Sequence, residues 1–136
     1  MNDLAIPNDV LTKLRAACLG LPDAHEEKAW VGIRWCIRKK NFGHVVMIHE
    51  GWPPAYALAT GSDGPACGLT FRLSASKLVA PRFARRPFFR LVWFPNIAGL
   101  LLDDSVDWDG VESLLTLSYC VLAPKKLDAL IDRVDL

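Results

Sequence analysis

Basic side chains gather in two places along this chain: Arg34, Arg38, Lys39 and Lys40, and then Arg82, Arg85, Arg86 and Arg90. Presented on a strand and its turn, such groups can neutralise phosphates, which makes binding to DNA steeply dependent on salt. The competing reading is an ordinary solvated strand face whose charges guard a sheet edge. A second grouping is aromatic: Trp52, Pro53, Pro54 and Tyr56, with His49 just before them. Rings held beside a proline step can wall a pocket for a small molecule or a peptide, because they give large contact area for few rotatable bonds. The plainer alternative is that Trp52 lids an open face of the sheet.

The remaining reactive residues point away from chemistry. Asp103, Asp104, Asp107, Asp109 and Glu112 cluster, and grouped carboxylates can hold Mg²⁺ or Ca²⁺. Their spacing is not that of a calcium loop, however. Asp107 sits where a helix N-cap belongs, and Asp109 and Glu112 suit the positive end of the helix dipole. His25, His44 and His49 are the candidate general bases near neutral pH. His44 and His49 are five residues apart, which on a strand turns them to opposite faces. No serine or cysteine occupies a nucleophile elbow and no glycine-rich phosphate loop precedes a helix, so no catalytic residue is nominated. Cys18, Cys36, Cys67 and Cys120 are widely spaced, with no C-x-x-C pair and no histidine nearby in sequence. This predicts no metal site and no cofactor, and Cys18, Cys36 and Cys120, within apolar periodic segments, are expected as buried free thiols.

These residues need elements to hold them. Asn8 or Asp9 can cap a first helix in which Val10, Leu11, Leu14, Ala17, Cys18 and Leu21 recur at helical spacing. Gly20 is expected in the left-handed C-terminal position, and Pro22 stops the helix. Ile33, Trp35 and Ile37 alternate with polar neighbours as a half-buried strand, preceded by an edge strand over Glu27–Val31. Lys39 to Gly43 reads as a turn and His44–Ile48 as the returning strand. Residues 50–68 carry too much Pro and Gly for a central strand, with room for one helical turn at Pro54–Thr60. Leu69, Phe71 and Leu73 mark another strand, Ser74 or Ser76 a brief helix that Pro81 interrupts, and Phe88–Phe94 and Gly99–Leu102 two more strands. A capped helix through Val111, Leu114, Leu115, Tyr119 and Leu122 follows, with a restart at Pro124. Trp30, Trp35, Trp93 and Trp108 are expected in the core or at its boundary, and Tyr119 with its ring buried and its hydroxyl bonded. This grouping indicates an α+β fold, an antiparallel sheet with helices packed on one face.

The order and spacing of Leu19-Gly20-Leu21-Pro22, Trp30 with Gly32, Lys40-Asn41-Phe42 and Ala123-Pro124-Lys125-Lys126-Leu127 resemble the MmcQ/YjbR-like family. The likeness runs from Leu11 to Leu130. It implies a frataxin-like, double-wing α+β arrangement, with an N-terminal helix, a strand meander and two C-terminal helices, and DNA as a partner proposed from that fold. Residues 50–68 depart from the family pattern as an expanded connection, and Ser74–Arg86 as a short, proline-broken stretch. An iron-binding role of the frataxin kind needs an acidic first helix, and between Asn8 and Leu21 only Asp9 is acidic.

The totals bound the rest. At 136 residues, 51% of them hydrophobic, the chain is one domain with a core of its own, and disorder is excluded. A net charge of +1 leans against a dedicated nucleic-acid binder. The opening Asn2-Asp3-Leu4-Ala5-Ile6-Pro7 lacks the features of a signal peptide. No uncharged stretch approaches the about 18 residues that span a bilayer. The expectation is a cytoplasmic, non-enzymatic binding domain that avoids membranes, with DNA as first partner and a small molecule or peptide as the alternative.

Overall fold

A computed structural model describes residues 5–91 and 94–131. Its elements are α1 (Asn8–Leu19), β1 (Ala24–Lys28), β2 (Ile33–Ile37), β3 (Lys40–Ile48), α2 (Pro54–Thr60), β4 (Ala66–Arg72), α3 (Ala75–Leu78), a 3-10 turn at Pro81–Ala84, β5 (Phe88–Phe89), β6 (Ile97–Leu102), α4 (Trp108–Leu122) and α5 (Lys125–Asp128). The strands form one six-stranded sheet in the order β1-β2-β3-β4-β6-β5, with every neighbouring pair antiparallel. The fold is α+β. Among the described residues no helix is long and apolar enough to cross a membrane.

Strand alternation divides the sheet into two faces. Trp35, Val45, Leu69 and Phe71 point to one face and meet Leu14 and Cys18 of α1 and Val111, Leu114 and Leu115 of α4 in a single buried cluster. A bulge makes close approach possible. Trp35 pairs with Gly43 and Cys36 with Asn41, leaving Phe42 as the extra residue and turning both Phe42 and Gly43 towards α4. The Phe42 ring meets Tyr119 edge-on, centroids 5.5 Å apart. A Cβ on Gly43 would stand 3.0 Å from the Leu115 side chain, so any larger residue would require that side chain to shift by a few tenths of an ångström. Buried Ser118 then ties α4 to two strands, donating to the Phe42 carbonyl at 2.6 Å and accepting from the Arg72 amide at 2.7 Å. Tyr119 is fully buried and its hydroxyl donates to the Pro22 carbonyl at 2.6 Å.

The opposite face is covered by smaller means. Tyr56 of α2 and Phe89 of β5 lie over Gly68, and the Phe89 ring also rests on Gly99. Thus α1 and α4 share one face while α2 contributes a ring to the other.

Several local expectations shift. Helix α1 begins at Asn8 with Pro7 in the cap position and no side-chain cap, and Gly20 is right-handed at φ −77°. The left-handed residue there is Asp23, at φ 60°, where the chain turns into β1. The edge strand lies at Ala24–Lys28 rather than Glu27–Val31, because Ala29–Gly32 is needed for the turn into β2: the Ala29 amide donates to the Gly32 carbonyl at 3.1 Å, with Gly32 at φ +74°. The β2–β3 turn shortens to Arg38–Lys39, with Arg38 left-handed at φ 56°. The strand expected over Phe88–Phe94 is the pair Phe88–Phe89. Val92 and Trp93 lie outside the described residues, as do Asn2, Asp3 and Leu4. Asp107 does cap α4, accepting from the Asp109 amide at 3.1 Å.

Candidate functional site

Two turns at one end of the sheet border a concavity among the described residues. The β1–β2 turn carries Trp30, a residue 91% exposed. After β3, His49 and Trp52 exchange backbone hydrogen bonds, each 3.0 Å, around Glu50 and Gly51. Both of these central residues have positive φ, 53° and 74°, the geometry of a type I′ hairpin turn. That turn brings Trp52 into the lining of the same concavity as Trp30. Between the two turns lies a cleft of about 650 Å³, with Ile33, Met47 and Ile6 among its apolar lining and Lys28, His49, Trp30 and Trp52 around it. Its size falls within the range of small-molecule sites.

One wall of the cleft is an ion pair. Arg15 of α1 donates through Nε and a terminal nitrogen to the two oxygens of Glu26, both at 2.9 Å. The indole Nε1 of Trp35 donates to the same carboxylate at 2.9 Å. Arg15 above all, and Trp35 with it, hold the Glu26 carboxyl below its ordinary pKa against a partly opposing burial. Burial, with the Glu26 charge added, pushes the nearby Cys18 thiol far up, so it is a neutral core group rather than a nucleophile. The cleft thus offers stacking surfaces, an apolar floor and an ammonium at Lys28, with its carboxylate already satisfied.

The predicted aromatic pocket is redistributed by this geometry. Trp52 and His49 line the cleft, whereas Tyr56 does not. Tyr56 packs against Phe89, centroids 6.1 Å apart, on the far face, where burial raises its pKa and a hydrogen bond with Thr70 partly offsets that. Three residues separate Trp52 from Tyr56, and the intervening helix start carries them to different faces. Sequence reading missed Arg15, Glu26, Lys28 and Trp30 as cleft residues. The legible signal was Trp30 beside Gly32, an aromatic on a turn, but nothing in the spacing said what it would face.

The two basic groups stand towards opposite edges of the sheet. Arg34 on β2 and the 82–90 region around β5 are four strand steps apart, or roughly 19 Å at the usual strand spacing. Arg34 is engaged, its Nε 2.8 Å and a terminal nitrogen 2.7 Å from Glu27 Oε1. Arg86 donates to the Thr60 carbonyl at 2.7 Å, and Arg82 stacks on Phe83 and Phe88 at 4.7 and 5.4 Å. Arg38, Lys39, Lys40, Arg85 and Arg90 are exposed.

The histidines also separate. His44 is half-buried with Nε2 2.6 Å from the Val31 carbonyl, and desolvation above all lowers its pKa. His25 projects from β1 beside Glu27 and Cys36, a grouping across β1 and β2 that sequence spacing could not display. In the acidic group Asp103 accepts from the amide and hydroxyl of Ser105, at 2.8 and 2.5 Å, which holds its carboxyl below the usual range. With the cap at Asp107, these acids organise the entry to α4. No family model, no curated protein and no solved structure matches this chain.

Proposed function

We propose that this chain is a non-enzymatic binding domain of the MmcQ/YjbR-like kind. Its ligand is a small organic acid with a flat, apolar body, seated in the cleft between Trp30 and Trp52. The observation that carries this reading is that Trp30, Trp52, the apolar Ile6, Ile33 and Met47, and Lys28 all line one cavity of about 650 Å³. Indole faces stack on a planar body, and a carboxylate or phosphate on that body pairs with Lys28. The family reading draws its support from the element order, one helix, an antiparallel meander and a closing helical pair.

Thermal shift and tryptophan fluorescence with benzoate, indole-3-acetate and adenosine monophosphate test it. A ligand at 100 times its Kd stabilises by about 2.7 kcal/mol. Trp52→Ala is expected to remove the shift, and Lys28→Ala to weaken acids while sparing their uncharged analogues. No shift with any of the three, or a full shift in Trp52→Ala, overturns the proposal.

A second reading, DNA binding, rests on the exposure of Arg38, Lys39 and Lys40 at one hairpin tip. It predicts duplex binding that weakens steeply with added salt and weakens further when these three become alanine. Equal affinity in the triple variant argues against it.

A further inference from the structure

On the face of β1–β2 away from the cleft, three different metal-binding side chains converge. Antiparallel register sets His25 directly opposite Cys36 and Glu27 opposite Arg34, so His25, Glu27 and Cys36 share one face of adjacent strands. Glu27 bridges the other two: its Oε2 is 3.4 Å from His25 Nε2, and its Oε1 is 3.7 Å from Cys36 Sγ. One ligand atom from each lies within 4.8 Å of the others. We propose that His25, Glu27 and Cys36 form a binding site for Zn²⁺ or a similar borderline-soft divalent cation.

The distances suit that ion. Zinc bonds of about 2.3 Å to sulfur and about 2.0–2.1 Å to nitrogen or oxygen, set tetrahedrally, need ligand atoms roughly 3.3–3.6 Å apart. The 3.4 Å between His25 Nε2 and Glu27 Oε2 already fits this, and the ligand atoms of all three residues, within 4.8 Å of one another, close to it by side-chain rotation. The mixed nitrogen, oxygen and sulfur set selects against Mg²⁺ and Ca²⁺, which prefer oxygen alone. Arg34 makes its close contacts with Oε1 of Glu27, leaving Oε2 turned to His25. The guanidinium thereby orients the carboxylate as an outer-shell partner does. Cys36 is only 3% exposed and forms the inner corner, while exposed His25 forms the outer one. Three protein ligands leave a fourth position for water. On binding, the metal–sulfur bond replaces the Cys36 S–H bond and the proton leaves to solvent.

Co²⁺ titration of the reduced full chain, followed by Zn²⁺, reads the site directly. The expected result is one equivalent of cobalt giving a near-ultraviolet thiolate charge-transfer band, which Zn²⁺ abolishes. Cys36→Ser removes the band. His25→Ala, at an exposed position that leaves the core untouched, weakens binding by at least about ten-fold, the lower end of what losing even an outer-shell partner costs. No saturable band, wild-type affinity in His25→Ala, or a band that depends on Cys67 instead of Cys36 overturns the proposal.

Discussion

Glu26 and Glu27 are neighbours of the same type on the same strand, yet they serve different surroundings. Glu26 turns to the helix face, where Arg15 and the Trp35 indole fix it as a wall of the cleft. Glu27 turns to the other face and joins Arg34, His25 and Cys36. Both carboxyls are held below the ordinary 4.5, each chiefly by a hydrogen bond from its own arginine. What differs is the third partner, an aromatic donor anchored in the core on one side and a thiol and imidazole on the other. Period-two alternation, not residue type, assigns the chemistry.

The largest way to break the contrast is to remove the anchor on the Glu26 side. Trp35 is fully buried, so Trp35→Ala is expected to cost about 3–5 kcal/mol in denaturant unfolding. His25→Ala on the Glu27 side is expected to stay within about 0.5 kcal/mol. If the two cost the same, the faces are not energetically distinct. Exchanging the charges sharpens the functional half. Glu27→Gln is expected to weaken Co²⁺ binding by at least about ten-fold, or about 1.4 kcal/mol, whereas Glu26→Gln leaves it unchanged. Cleft ligands should report the reverse dependence.

Acid provides the gentlest probe. The folded pKa of His44 lies below its ordinary 6.5, so between those two values the unfolded chain binds a proton that the folded one refuses. Stability is therefore full above about 6.5 and falls as pH drops from there towards the folded value. His44→Leu should abolish that upper stage in unfolding curves compared at pH 7.5 and 5.5. The two glutamates act lower, contributing above 4.5 and losing their contribution as pH falls through their depressed folded values. By NMR titration, Arg15→Ala should raise the Glu26 pKa alone and Arg34→Ala that of Glu27 alone. Coupled movement of both would show that the faces communicate.

Much of the scaffold was legible because its signals are local. The α4 cap at Asp107, the turn of helix at Pro54–Thr60 and the alternation of Ile33, Trp35 and Ile37 each depend on residues a few positions apart. Boundaries slipped where register decided them: β1 could not be placed without its partner β2, whose pairing moves it three residues towards the N-terminus. The bulge at Phe42 was equally invisible, since an extra residue has meaning only against the strand opposite. In the candidate sites, Trp52 and His49 were found as aromatic and titratable groups near a proline step. Tyr56 was misplaced because the short helix after Pro53 rotates it to the far face. Cys36 seemed to lack a histidine because the partner lies eleven residues away along the chain and directly opposite across the ladder.

By itself, then, the sequence determined an α+β chain with an antiparallel sheet, a capped closing helix and a reservoir of basic and aromatic side chains. Helical and strand periods, caps and prolines are written within a few residues, and burial follows from them. Only the tertiary structure decided that the basic groups lie several strands apart across the sheet, that Trp30 and Trp52 line one cleft, and that His25, Glu27 and Cys36 meet. Those outcomes rest on cross-strand register and on which face each helix covers. Both are set by packing the whole chain at once, because a shift of one residue would send every side chain to the opposite side.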